Sequence, residues 1–129
     1  VKVSYLDTSA AFKLVVAEAE STALGKVVDA EDERQLYSSM LLHTELYCAL
    51  GRAAQGVAPT AIQSLLNRIT LVELGRRDLV DAGTRAPLRA HDAIHLAVAI
   101  RIGADEILTY DSELAAASQR AGIEVVSPS

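Results

Sequence analysis

Apolar residues recur along this chain with two different periods. Short runs, VKVSYL (1–6), QLYSS (35–39), TLVEL (70–74), EILTY (106–110) and IEVVS (123–127), read as strands. Between them, apolar positions three and four apart predict helices over 9–19, 20–31, 41–55, 60–69, 76–86, 91–103 and 111–122. Gly56 and Gly122 stand where helices should stop, and Pro59 where one should start. There are no repeats, linkers or low-complexity runs. Strands that alternate with helices in this way indicate a parallel sheet covered on both faces. No segment approaches the roughly 20 apolar residues that a bilayer-spanning helix needs.

Ligands on parallel sheets sit outside the carboxyl ends of the strands, near the point where strand order reverses. Asp7 follows VKVSYL and Asp111 follows EILTY, so both fall at such ends. Either one alone reads equally well as an N-cap, because aspartate is a preferred cap for a following helix. Glu45 is different. At 100° per residue, Leu41, Leu42, Ala49 and Ala53 surround its direction on the predicted helix, while His43, Thr44 and Gly51 mark the polar side. An unpaired carboxylate on an apolar face is costly, so Glu45 reads as a site residue or as half of an ion pair with a buried arginine. Asp92 opens HDAIHLAVAIRIG, which is apolar nearly all round apart from Arg101. A first-turn acid is stabilised by the helix dipole, which leaves a structural role open. If the four acids meet, two carboxylates about 5 Å apart repel by roughly 3 kcal/mol at an effective dielectric near 20. Such a cluster requires protonation or a cation. Oxygen-only ligands select Mg²⁺ or Mn²⁺, which can activate a water and neutralise a phosphodiester displaced in line.

Net charge changes the picture only in part. The 12 basic and 17 acidic residues leave −5, which argues against a passive nucleic-acid coat protein. It leaves room for an enzyme on nucleic acid, where a local basic patch or a metal offsets the total. Arginine outnumbers lysine and is the better bidentate phosphate ligand, although genome composition explains the bias equally well. The single cysteine, Cys48, rules out an internal disulfide, suits a reducing cytosol and is expected in the core. The opening VKVSYLD does not read as a signal peptide.

Four short segments, "LDTSA", "TEL", "LRAHDAIHLAVA" and "ILTYDSELAAAS", together resemble the PIN-domain ribonucleases, most closely the VapC-type toxins of toxin–antitoxin pairs. The resemblance covers essentially the whole chain. It implies one PIN domain over 1–129, a three-layer α/β/α sandwich with a central, mostly parallel five-stranded sheet. The family's acids fall on Asp7, Glu45, Asp92 and Asp111, which in the family bind Mg²⁺ or Mn²⁺ for endonucleolytic cleavage of RNA, commonly tRNA or rRNA. The expected products carry a 5′-phosphate and a 3′-hydroxyl. Thr8 and Thr109 match supporting hydroxyl positions, and Glu113 is a second choice for the fourth acid. A VapB-type antitoxin partner, a homodimer and a cytoplasmic location are also implied.

Other candidates are weaker. His91 and His95 stand one turn apart, as in zinc proteases, but Asp92 is a methylene shorter than the glutamate of that pattern and no third ligand is evident. A packed histidine, or one backing the site, is the favoured reading. His43 is expected at the surface. Arg52 lies two turns from Glu45 and reads equally as a phosphate contact or as a side chain extending to solvent. Arg85 and Arg89 are candidate RNA contacts or ordinary loop charge. Gly75–Arg77 reads as a solvated helix start. The few aromatics exclude base stacking as the main source of RNA affinity. A receiver-like Mg²⁺-binding signalling domain would need paired acids after the first strand and a late lysine, yet no lysine follows Lys26. A haloacid-dehalogenase-type phosphatase would need an acid where Ser9 stands. A PIN-fold binding module without catalysis also stays open.

Overall fold

The chain is described by a computed structural model over residues 1–30, 34–53 and 56–129. Its elements follow the expected alternation: β1 (Lys2–Leu6), α1 (Thr8–Lys13), α2 (Ser21–Asp29), β2 (Arg34–Ser39), α3 (Met40–Arg52), α4 (Pro59–Leu66), β3 (Thr70–Val72), α5 (Arg76–Ala82), α6 (Ala90–Arg101), β4 (Glu106–Leu108), α7 (Ser112–Arg120) and β5 (Glu124–Val126). The five strands form one sheet in the order β3-β2-β1-β4-β5. Every pairing is parallel, so the "mostly parallel" expectation becomes fully parallel among the described residues. The chain builds outward from β1 through β2 to β3, then crosses back to add β4 and β5. Strand order therefore reverses between β1 and β4.

Strand alternation divides the core into two layers. Leu6, Leu36 and Leu108 point to one face, where they meet Ala10, Ala11, Leu24, Leu42, Leu46, Leu50, Ile62 and Leu65 of α1–α4. Tyr5 and Ile107 point to the other, against Leu96, Val98 and Ala99 of α6 and Leu114 and Ala117 of α7. Burying each leucine contributes about 2 kcal/mol. The small residues Ala93 and Ala97 on α6, with Ala82, let α5 pack closely on the outside of α6.

Several predicted elements are too long. The helix expected over 9–19 stops at Lys13, where the amides of Leu14 and Val15 bond three residues back, to Ala11 and Phe12. Leu14, Val15 and Val16 turn inward onto the first core layer, and the β-branched pair has no helical gain to lose. The helix expected over 20–31 is seen as Ser21–Asp29, with Glu31 outside the described residues. In the 41–55 helix, 54 and 55 also lie outside them. The 76–86 helix ends at Ala82, and the last three strands are each shorter than expected. Cys48 is exposed, not in the core. The buried stripe of α3 is Leu42, Leu46 and Leu50, and Cys48 lies about 200° around the helix from Leu46.

A buried charge network closes the amino end of the sheet. Glu106 opens β4 at 1% exposure, and Arg34 Nε donates to its Oε2 at 2.6 Å. The Ser4 hydroxyl donates to the same oxygen, and Lys2 approaches Oε1 at 3.6 Å. Burial alone would raise the Glu106 carboxyl, but Arg34, Ser4 and Lys2 together hold it below its ordinary value.

Candidate active site

At the carboxyl end of the sheet the acids stand in a different setting. Asp7 leaves β1 at the strand-order reversal, its amide bonded to the Leu108 carbonyl of β4. It is 2% exposed. Its Oδ1 accepts the Ala10 amide at 3.0 Å, which caps α1, and both carboxylate oxygens accept the Ser9 hydroxyl. The Thr109 hydroxyl donates to Oδ2 at 2.6 Å. Asp7 is thus both cap and site candidate. Burial pushes its carboxyl up, and the hydrogen bonds from Thr109, Ala10 and Ser9 offset only part of that.

Thr109 ties Asp7 to Asp111, because its oxygen also accepts the Asp111 amide at 3.0 Å. Asp111 caps α7 through Oδ1 on the Leu114 amide at 2.8 Å. Asp92, in the first turn of α6, is 5% exposed with His91 Nε2 3.5 Å from its Oδ1. Burial raises its carboxyl. His91 counteracts this, while the negative charges of Asp111 and Asp7 push it further up. Asp7 and Asp111 therefore each lie close enough to Asp92 for their charges to act on it.

Glu45 lies on the flank of the buried stripe of α3, with its side chain 22% exposed. Its partner is His95, not the buried arginine considered from the sequence: His95 Nε2 is 2.7 Å from Oε1. The Thr8 hydroxyl donates to the same Oε1 at 2.7 Å. Burial works to raise the Glu45 carboxyl, but His95 and Thr8 outweigh it and hold it below its ordinary value. His95 is 1% exposed and its Nδ1 lies 2.7 Å from the Tyr5 hydroxyl. His95 thus backs the site, one of the two roles favoured for it from the sequence, whereas Tyr5 was missing from the candidates. The signal for His95 was available: it follows Asp92 by three residues and so shares its face of the helix.

The remaining candidates stand apart. Glu113 is exposed and lines a groove of about 570 Å³ with Arg85, Arg120, Leu88 and Leu96. Arg85 is paired with Asp81 on α5 at 3.1 Å. Arg89 is exposed just ahead of α6, and Arg52 is exposed as the last residue of α3. Among the described residues, none of the three arginines bonds to the four acids. His43 and Arg76 are exposed, as expected.

Chemically, these acids offer oxygen donors of one sign, which suits a hard divalent cation. As placed, no three His, Cys, Asp or Glu side chains among the described residues are gathered closely enough to hold a metal ion. Binding one requires the carboxylates to draw together against their repulsion, which the cation's charge favours.

The fold and these residues define an all-parallel α/β protein, among the described residues, with acids set around the switch point of its sheet. A family model for the PIN domain matches residues 4–119, and the chain belongs to that family. It is 38% identical to Ribonuclease VapC46 of Mycobacterium tuberculosis over 97% of each chain, and 35% identical to Ribonuclease VapC35 of the same species over 96% of each. Among solved structures, it matches the M. tuberculosis VapC20 toxin, described as cleaving the sarcin–ricin loop, with TM-score 0.72 at 17% identity over 88% of this chain and 94% of that one. It also matches VapBC2 of Rickettsia felis bound to a promoter DNA fragment, with TM-score 0.67 at 11% identity over 98% and 99%. These structural likenesses bear on the fold. The PIN-like α/β architecture expected from the sequence is what the chain adopts.

Proposed function

We propose that this protein is an Mg²⁺- or Mn²⁺-dependent endoribonuclease that acts as the toxin of a toxin–antitoxin pair. The observation that carries the reading is Asp7. It is a buried carboxylate at the strand-order reversal, hydrogen-bonded among the described residues only by hydroxyls and one amide, and near enough to Asp92 to raise its carboxyl. Similarity to proteins named as VapC ribonucleases supports the activity. Asp7, Glu45, Asp92 and Asp111 are the residues assigned to hold the cation, which supplies charge neutralisation and an activated water at the scissile phosphate. Thr109, Ser9 and the Ala10 amide orient Asp7. Thr8 orients Glu45, and the Leu114 amide fixes Asp111. Arg52, Arg85 and Arg89 are assigned to phosphate contacts, with Glu113 flanking Asp111. The substrate assigned is tRNA or rRNA.

A VapB-type antitoxin is the assigned partner, by similarity to the VapBC2 structure. The exposed Leu79 and Val80 on α5 support a protein interface, including a homodimer. No helix among the described residues is long and apolar enough to cross a membrane, and a cytoplasmic location is assigned with the RNA substrate. The separation of the acids favours one second reading, a PIN-fold binding module without catalysis.

Mapping of cleaved RNA 5′ ends after induced expression decides between them. Wild type should yield discrete new 5′-phosphate ends and Asp7→Ala none, with the variant still folded. Equal cleavage by the two proteins would overturn the assignment, and no new ends from either would favour the binding module.

A further inference from the structure

The helix that carries Asp92 also carries a buried polar chain with no part yet in the chemistry. Tyr5 Oη, His95 and Glu45 lie in series at 2.7 Å per step, from β1 through α6 to α3. A carboxylate can only accept, so the imidazole nitrogen facing Glu45 Oε1 must carry a hydrogen. That nitrogen is Nε2. With the ring hydrogen on Nε2, a neutral imidazole leaves Nδ1 as the acceptor of the Tyr5 phenol hydrogen. A neutral imidazole has one donor and one acceptor nitrogen, and this arrangement satisfies both. The ring is 1% exposed and meets the Tyr5 ring edge-on at 5.6 Å, so rotation would forfeit packing as well as both bonds.

The consequence falls on Glu45. Its Oε1 takes two donors, His95 Nε2 at 2.7 Å and Thr8 Oγ1 at 2.7 Å, while Oε2 takes none among the described residues. The two donors come from α6 and α1, the elements that also present Asp92 and follow Asp7. Glu45 arrives on a third element, α3, and its long side chain would otherwise sample several rotamers.

We propose that His95 is a positioning residue for Glu45: the Glu45 carboxylate and the Tyr5 hydroxyl together fix the tautomer that pins Oε1, and Oε2 is thereby aimed as the working oxygen of the site. This rests on the ribonuclease reading for its kinetic consequence, but not for the tautomer itself. A histidine that merely fills the core would need no particular tautomer and no particular replacement.

Two measurements test it. Nitrogen-15 NMR of the metal-free wild-type protein at neutral pH should show His95 protonated at Nε2 and not at Nδ1. A wild-type ring protonated at Nδ1, whether neutral or doubly protonated, overturns the lock. In RNA cleavage, His95→Gln keeps an N–H near the Nε2 position, whereas His95→Asn keeps only the Nδ1 side. Partners of this kind typically cost 10- to 100-fold when removed. His95→Asn should therefore lower kcat by about 30-fold with KM unchanged, and His95→Gln should stay within about threefold of wild type. Equal kcat for the two variants overturns the positioning role. If either variant fails to fold, the wild-type tautomer still decides. If wild type cleaves no RNA while the Nε2 tautomer is found, the ribonuclease reading falls and the lock stands.

Discussion

Two buried carboxylates, one at each end of the same sheet, differ in the company they keep. Glu106, at the amino end of β4, is 1% exposed, and Asp7, at the carboxyl end of β1, is 2% exposed. Glu106 has Arg34 at 2.6 Å, with Lys2 and Ser4 beside it, and its carboxyl is held low despite burial. Asp7 has two hydroxyls and an amide, no cation within bonding distance among the described residues, and Asp92 and Asp111 nearby; its carboxyl is pushed up by burial. Burial works against the charge of both acids. The difference is that one cost is met inside the chain and the other is left for something from outside. Functional sites are where such imbalances collect.

Removing the imbalance should separate activity from stability. Asp7→Asn keeps the shape and an acceptor but loses the charge. Cleavage of RNA should fall on the order of 10³-fold, the scale of losing a preorganised electrostatic group. In the same variant, thermal unfolding without divalent ions should move upward, by about 1 kcal/mol, because a buried charge without a counter-charge is gone. A downward shift would show that Asp7 is balanced as well as Glu106 is.

At the other end, Glu106→Gln removes the buried charge that Arg34 and Lys2 pair with. Breaking a buried pair from one side costs about 3 kcal/mol. Denaturant unfolding should show that loss, while the cleavage rate of the folded fraction stays near wild type. Thr109→Val sits between the two cases. It removes the donor to Asp7 and the acceptor for the Asp111 amide at once. Stability should fall by about 1–2 kcal/mol. Cleavage should fall at least about tenfold, since two acids lose their support.

The smallest effect is one of slope. A carboxyl held below its unfolded value, as Glu106 is, stabilises the protein above that unfolded value of 4.5. The contribution is lost as pH falls through the folded value. Asp7 is raised, so its contribution has the opposite sign: present below its unfolded value of 3.8 and lost as pH rises through the folded one. Urea unfolding across the acid range should therefore show a shallower acid loss in Glu106→Gln. Asp7→Asn should show a gain confined to the higher pH values.

Local pattern made much of the site legible. Asp7 and Asp111 showed themselves by ending apolar runs, Asp92 by opening a helix apolar all round, and Glu45 by its angle on α3. The partners of these residues were much harder to see. Glu45 was weighed against a buried arginine, but His95, fifty positions away, supplies the bond. Thr109 was marked only by resemblance, and its bridging of two acids needs β1 and β4 side by side. Cys48 and the 9–19 helix went astray for a related reason. Their apolar character was read as helical burial, and only the packed neighbours decide which side of α3 is covered and where Val15 and Val16 go.

By itself, the order of apolar and polar residues determined that strands and helices alternate, that the sheet is parallel, and which acids stand at strand ends. These follow from periods of two and 3.6 residues, which are local properties. Strand order, register and charge pairing were decided only in the folded chain. The sequence holds Arg34 and Asp7 in neighbouring elements, yet the parallel register sends the arginine to the amino end with Glu106 and leaves Asp7 at the other end with no cation bonded to it among the described residues. A carboxylate's environment is a sum over non-local neighbours, and that sum exists only once β1 lies between β2 and β4.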